Sequence, residues 1–195
     1  MIYYLEGNLV ERTPTYVVID CSGVGYMLTI SLNTYAHLPL KGSCKLFVEH
    51  MFMRDDLPKH FGFFDHAERD LFRHLVSVSG VGGNSAIMML SSLSAAEIQQ
   101  AILSANVATL KSIKGIGEKT AQRIIVDLKG KMGKMTNAID LAGKTANPIK
   151  EEALSALMML GFQKAVADKQ LEKILSGPSA PTTVEDLIKQ TLKNL

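Results

Sequence analysis

The chain has 195 residues, 47% hydrophobic and 21% charged, with 21 Lys and Arg against 19 Asp and Glu for a net charge of +2. That content excludes wholesale disorder, and the length allows up to three small packed domains. No apolar run reaches the ~18 residues of a membrane span, and Glu6 interrupts an N-terminus that lacks a basic leader region. Cys21 and Cys44 build neither a disulfide scaffold nor a four-ligand zinc site. The expectation is a soluble cytoplasmic protein without cofactor or metal, its core aliphatic because Trp is absent and aromatics make up 6%.

Residues 1–63 read as β structure. The segments Ile2–Leu5, Tyr16–Asp20, Tyr26–Ser31 and Lys45–Met53 are rich in Val, Ile, Tyr, Phe and Thr, with turn signals at Pro14, Ser22-Gly23 and Lys41-Gly42. So few short strands cannot make a two-sheet sandwich; a small closed barrel of the OB type removes their edges. From Asp65 the apolar spacing changes to a helical period. Asp65 and Ser94 each precede a helical run with Glu at the third position, a capping signal. Helix is predicted to about Lys131, and residues 132–147 read as a flexible linker, with Ala138–Ala142 able to form a short turn. From Pro148, a suitable helix start, three short helices follow at Glu151–Leu160, Lys164–Leu175 and Val184–Leu192. The predicted class is multidomain α+β: a barrel over 1–63, a helical domain over 64–131, a linker over 132–147 and a three-helix bundle over 148–195.

An internal repeat carries the functional reading. Residues 75–86, LVSVSGVGGNSA, and residues 110–121, LKSIKGIGEKTA, share Leu75/Leu110, Ser77/Ser112, Gly80/Gly115, Gly82/Gly117 and Ala86/Ala121. Each copy is a helix, a Gly-aliphatic-Gly turn and a second helix, the helix-hairpin-helix pattern of DNA-binding proteins that do not read sequence. The glycines permit positive φ and close approach, and the free N–H groups of the next helix favour a phosphate. Such a site holds backbone rather than bases. Candidate DNA contacts are Gly80, Gly82, Gly83 and Asn84 in the first copy and Gly115, Gly117, Lys119, Thr120 and Arg123 in the second. Lys119 and Arg123, four apart, share a helix face and can flank one phosphate. Lys111, Lys114, Lys119, Arg123, Lys129 and Lys131 face only Glu118 and Asp127, six against two for a local +4. No Lys or Arg lies between Arg73 and Lys111, so the first copy is expected to contribute amides and little charge.

Catalytic readings find less support. Asp55-Asp56 could hold Mg²⁺ for a nuclease, but no third ligand stands at a matching spacing. A glycosylase could use Lys119 or Asp140, yet residues 64–147 hold only Phe64 and Phe72 to stack a flipped base. The string Gly117-Glu118-Lys119-Thr120 does not spell a nucleotide-binding loop, so any motor must be another chain. A glycosylase- or nuclease-type repair enzyme is the alternative. In the C-terminal bundle, Leu154, Leu157, Met158, Leu160 and Phe162 exceed one small core's needs. A ubiquitin-associated-like module with a Met-rich groove for a partner is expected, about half of these residues being core.

The MIYYLEGNLVE opening, a GVGY hairpin at Gly23–Tyr26, two hairpin motifs 35 apart, a linker and a C-terminal bundle resemble the RuvA family of bacterial Holliday-junction-binding subunits over nearly the whole chain. The resemblance implies a homotetramer that holds a four-way junction open. It also implies recruitment of the hexameric ATPase RuvB through the C-terminal domain, and a RuvC-like junction resolvase as a further partner. Family members carry an acidic pin in a barrel hairpin, which Asp55 and Asp56 in FMRDDLPKHFGF match. Carboxylates there would repel continuous duplex and help part the strands. The first hairpin departs from the family's Gly-Val-Gly-Pro-Lys, having Gly-Gly-Asn after the Val.

Overall fold

Five strands close into a barrel in the order β1-β2-β3-β5-β4: β1 (Tyr4–Arg12), β2 (Tyr16–Cys21), β3 (Val24–Ile30), β4 (Gly42–Met51) and β5 (Lys59–Phe63). The computed structural model describes residues 1–52, 58–141, 147–177 and 181–194, with side chains for all of these except 133–141 and 148. Alternate residues point inward, as the two-residue strand period requires: Val17 and Ile19, Leu28 and Ile30, and Cys44, Leu46 and Val48 are buried. The β1 strand continues to Arg12, well past the predicted end at Leu5. Gly7 makes that possible, because a Cβ there would lie 2.1 Å from the Asp20 carbonyl oxygen. Sequence patterning also missed the short helix α1 (Leu32–His37), capped by Ser31 Oγ, which accepts from Thr34 N at 2.9 Å.

The β5 strand, likewise unpredicted, joins barrel to helices. It pairs with β4 and runs parallel to β3. Gly62 faces the barrel interior, where an added Cβ would touch Leu28 and Leu46 at 3.0–3.1 Å. Phe61 and Phe63 pack on Phe72 with ring centroids 4.9 Å apart, inside the core of the helical region. A strand buried on both faces shows no alternation, so its period is invisible in sequence.

The helical region comprises α2 (His66–Val76), α3 (Gly83–Ser92), α4 (Ala95–Leu103), α5 (Val107–Lys111) and α6 (Glu118–Leu141). Asp65 caps α2 by accepting from Glu68 N at 2.7 Å, and Ser94 with Glu97 forms a reciprocal capping box on α4. Glu68 does not reach back to its cap. Its buried carboxylate instead accepts from the Ser31 hydroxyl and from Thr34 Oγ1, while Thr34 Oγ1 also accepts from Phe64 N at 3.0 Å. This network ties α1 to the start of α2, and Arg73 Nε adds an ion pair to Glu49 of β4.

The α6 helix runs through Leu141, so residues 132–141 of the expected linker continue the helix. Met132 is buried in the same core as Leu128. That anchoring, with the good helix formers Lys, Met, Ala and Leu, outweighs the ~1 kcal/mol cost of each helical glycine at 130 and 133. Residues 142–146 lie outside the described set.

The chain divides into two compact units, Met1–Gly133 and Lys134–Leu195. In the second, α7 (Pro148–Met159), α8 (Lys164–Leu175) and α9 (Val184–Asn194) enclose Ala153, Leu157, Ala167, Leu171 and Leu187. Lys150 bridges α7 to Asp168 at 2.9 Å and Glu172 at 2.8 Å, and the hydrogen bond to Glu172, then that to Asp168, raises its pKa. Among the described residues no single helix is long and apolar enough to cross a membrane.

Candidate nucleic-acid interface

The two repeats fold into turns with matching glycine φ values and matching backbone hydrogen bonds. Gly80 and Gly115 take φ of +92° and +89°, values open to glycine and costly for other residues. Val81 N donates to the Val78 carbonyl at 3.0 Å, and Ile116 N to that of Ile113 at 3.1 Å. Val81 and Ile116 are both buried and pin their turns inward, as the residue between the two glycines must. The first intrahelical bond of α3 is Ala86 N to Gly82 O, and that of α6 is Ala121 N to Gly117 O, each 2.9 Å. The amides of residues 83–85 and 118–120 therefore precede any intrahelical acceptor, beside the positive end of a helix.

Gly82 and Gly117 lack positive φ, and a Cβ on either would meet nothing within 4 Å. Among the described residues no packing contact demands glycine at either position, and both leave open space at a helix start, where a close approach to the backbone is possible. Gly83 is different. It is buried, and an added Cβ would come 2.5 Å from Phe61 Cζ and 2.7 Å from Met51 Sδ. Its smallness is therefore set by packing of α3 on the barrel. Asn84 is exposed and borders a cleft with Pro14, Thr29, Leu32 and Met88.

Charge is distributed unequally between the turns. Lys119 is exposed and makes no ion pair among the described residues, and Thr120 is half-buried beside it. Glu118 is held by Lys111 at 3.2 Å, which blunts its repulsion of an anion at the helix start. Arg123 does not simply lie along α6 beside Lys119. Its Nη1 donates to the carbonyl of Ser79, in the first turn, at 3.3 Å. Sequence spacing missed that contact because its acceptor is a main-chain oxygen 44 residues away.

Asp55 and Asp56 lie outside the described residues. In chain order they fall between β4 and β5, two strands on which His50 and His60 stand opposite one another with Nδ1 atoms 2.8 Å apart. Among the described residues, no three His, Cys, Asp or Glu side chains come together as a metal site would require. In the second unit the expected partner-binding residues separate. Leu157 is fully buried in the bundle core, and Leu154 and Phe162 pack against that core. Met158 and Leu160 are exposed, and they flank Met159, unforeseen in sequence and 89% exposed.

Residues 1–62 match the RuvA N terminal domain, residues 72–130 a SAM-like helix-hairpin-helix tandem, and residues 148–195 the RuvA C-terminal domain. Over its full length the chain is 47% identical to the Holliday junction branch migration complex subunit RuvA of Christiangramia forsetii, covering 100% of both chains. The chain belongs to the RuvA family. The RuvA of Flavobacterium psychrophilum is 49% identical over 196 residues and that of Bacteroides fragilis 46% over 204, each again covering 100% of both chains. Membership in the RuvA family accounts for the order of parts described above: barrel, tandem hairpins and C-terminal helical bundle.

Proposed function

We propose that this chain binds four-way DNA junctions as the non-enzymatic subunit of a branch migration complex and leaves ATP hydrolysis to a RuvB-type hexameric partner. The observation that carries the reading is the pair of matched turns, each with an open glycine over unpaired helix-start amides. Two such sites on one rigid core hold two phosphates at a set spacing, which selects backbone shape and ignores base sequence. In this reading the division of labour follows the chain: the barrel over 1–63 with its pin, the hairpin tandem over 64–131, and the bundle over 148–195 that recruits the motor. Asp55 and Asp56 repel continuous duplex at the crossover. Four copies around one junction match the symmetry of a four-armed ligand. A RuvC-type resolvase acts on the same open junction, and the complex works in the cytoplasm.

The test is a gel-shift titration at fixed salt, comparing a four-way junction with linear duplex of the same arm sequences. Wild type should prefer the junction, and Asp55→Asn/Asp56→Asn should narrow the preference by raising duplex affinity. Equal affinity of wild type for both DNAs would reject junction selectivity. An unchanged preference in the variant would reject the pin.

A further inference from the structure

The repeat aligns four cations of the second hairpin with uncharged residues of the first. Lys111, Lys114, Lys119 and Arg123 stand where the first copy has Val76, Ser79, Asn84 and Met88, each 35 positions earlier. Taken alone, the first turn offers amides to a phosphate and no positive side chain. Arg123 changes that account, because its Nη1 donates to the Ser79 carbonyl at 3.3 Å, next to Gly80 at the apex of the first turn. The link runs one way only. Met88, the counterpart of Arg123, has no donor to return to the Lys114 carbonyl.

We infer that Arg123 serves the first hairpin: the guanidinium reaches across the tandem, is held on the Ser79 carbonyl, and supplies the cation that this atypical turn lacks. The inference rests on the phosphate-binding reading of the two turns. Arginine suits the task because it has five donors in a planar fork. One is spent on the carbonyl, and the exposed side chain keeps others for a phosphate oxygen. Arg123 and Lys119 then serve different phosphates, Lys119 at the second turn and Arg123 at the first, although they are four residues apart on one helix. The same bond fixes the distance between the two turns, which a binder that reads shape needs.

The experiment is a double-mutant cycle on the full chain, read by fluorescence anisotropy with a labelled four-way junction over a range of salt. Arg123→Gln and Lys119→Gln each remove one cation; both residues are exposed, and matching unfolding midpoints verify an intact fold. Each variant should flatten the plot of log K against log salt by about 0.9, the value of one phosphate contact. Asn84→Lys restores to the first hairpin the cation that Lys119 gives the second. It should recover the lost slope in the Arg123→Gln background, while in the Lys119→Gln background it adds no more than it adds to wild type. Equal increments from Asn84→Lys in all three backgrounds would overturn the assignment, since groups serving one site do not act additively. Wild type that binds neither junction nor duplex would remove the phosphate-binding reading itself, an outcome distinct from additivity among variants that bind.

Discussion

A methyl group at Gly83 would sit 2.5 Å from Phe61 Cζ, whereas one at the adjacent Gly82 would meet nothing within 4 Å. Neighbouring glycines in one turn are thus kept for different reasons, and substitution separates them. Gly83→Ala overpacks the junction of α3 with the barrel and should cost about 1–3 kcal/mol of stability, read as a lower unfolding midpoint. Gly82 is the N-cap of α3, with extended φ of −92° and no side-chain cap. A serine there fits the backbone and can accept from a free amide, so Gly82→Ser should keep stability or raise it by about 0.3 kcal/mol. The same hydroxyl takes an amide and the space a phosphate needs. Loss of one charge-assisted hydrogen bond, about 1.5 kcal/mol, predicts roughly tenfold weaker junction binding. A Gly82→Ser protein that binds DNA as wild type does would remove the first turn from the interface.

At the scale of elements, β4 and β5 meet through His50 and His60, whose facing Nδ1 atoms can share only one hydrogen. Burial and then the neighbouring His50 lower the His60 pKa from the ordinary 6.5; burial and then Lys131 lower that of His74, against an opposing pull from Asp70. An unfolded imidazole therefore takes up a proton at a pH where the folded one still refuses it. Stability is full above 6.5 and falls as the pH drops through the ordinary value toward the depressed one. Urea midpoints at about pH 7.5 and about pH 5.5 should differ less in His60→Gln than in wild type; an equal drop would show that the pair contributes nothing. Other parts of these elements were legible beforehand for physical reasons. The hairpin turns could be read because identical residues at a fixed offset must satisfy the same backbone geometry, and the caps at Asp65 and Ser94 because each is a local side-chain bond. What stayed hidden was non-local. Gly62 and two-sided burial mask β5, the barrel contact that makes Gly83 a packing residue lies more than twenty positions away, and the continuation of α6 depends on Met132 reaching the core.

The two compact units of the chain use apolar surface in opposite ways. In Met1–Gly133 the large aliphatic side chains of the hairpins turn inward and leave amides and cations outside. In Lys134–Leu195 a core of five small and medium side chains is complete without Met158, Met159 and Leu160, which end α7 exposed. Methionine side chains adapt to irregular surfaces, and three consecutive apolar residues outside a finished core suit the recruitment of a protein partner. The prediction is that Met159→Asp, at a site 89% exposed, leaves the unfolding midpoint and junction affinity at wild-type values while weakening binding of the hexameric ATPase. Removing one buried Met side chain from an interface is worth about 1.5–3 kcal/mol, roughly ten- to a hundredfold in affinity. Leu157→Asp is the contrasting variant: it places a carboxylate in the bundle core and should unfold that unit, losing partner binding together with structure. Branch migration assays with the ATPase and junction DNA distinguish the two, since only Met159→Asp should retain a folded bundle when migration falls. If Met159→Asp supports migration at the wild-type rate and ATPase affinity, the partner docks elsewhere on the second unit, and the exposed end of α7 is not its seat.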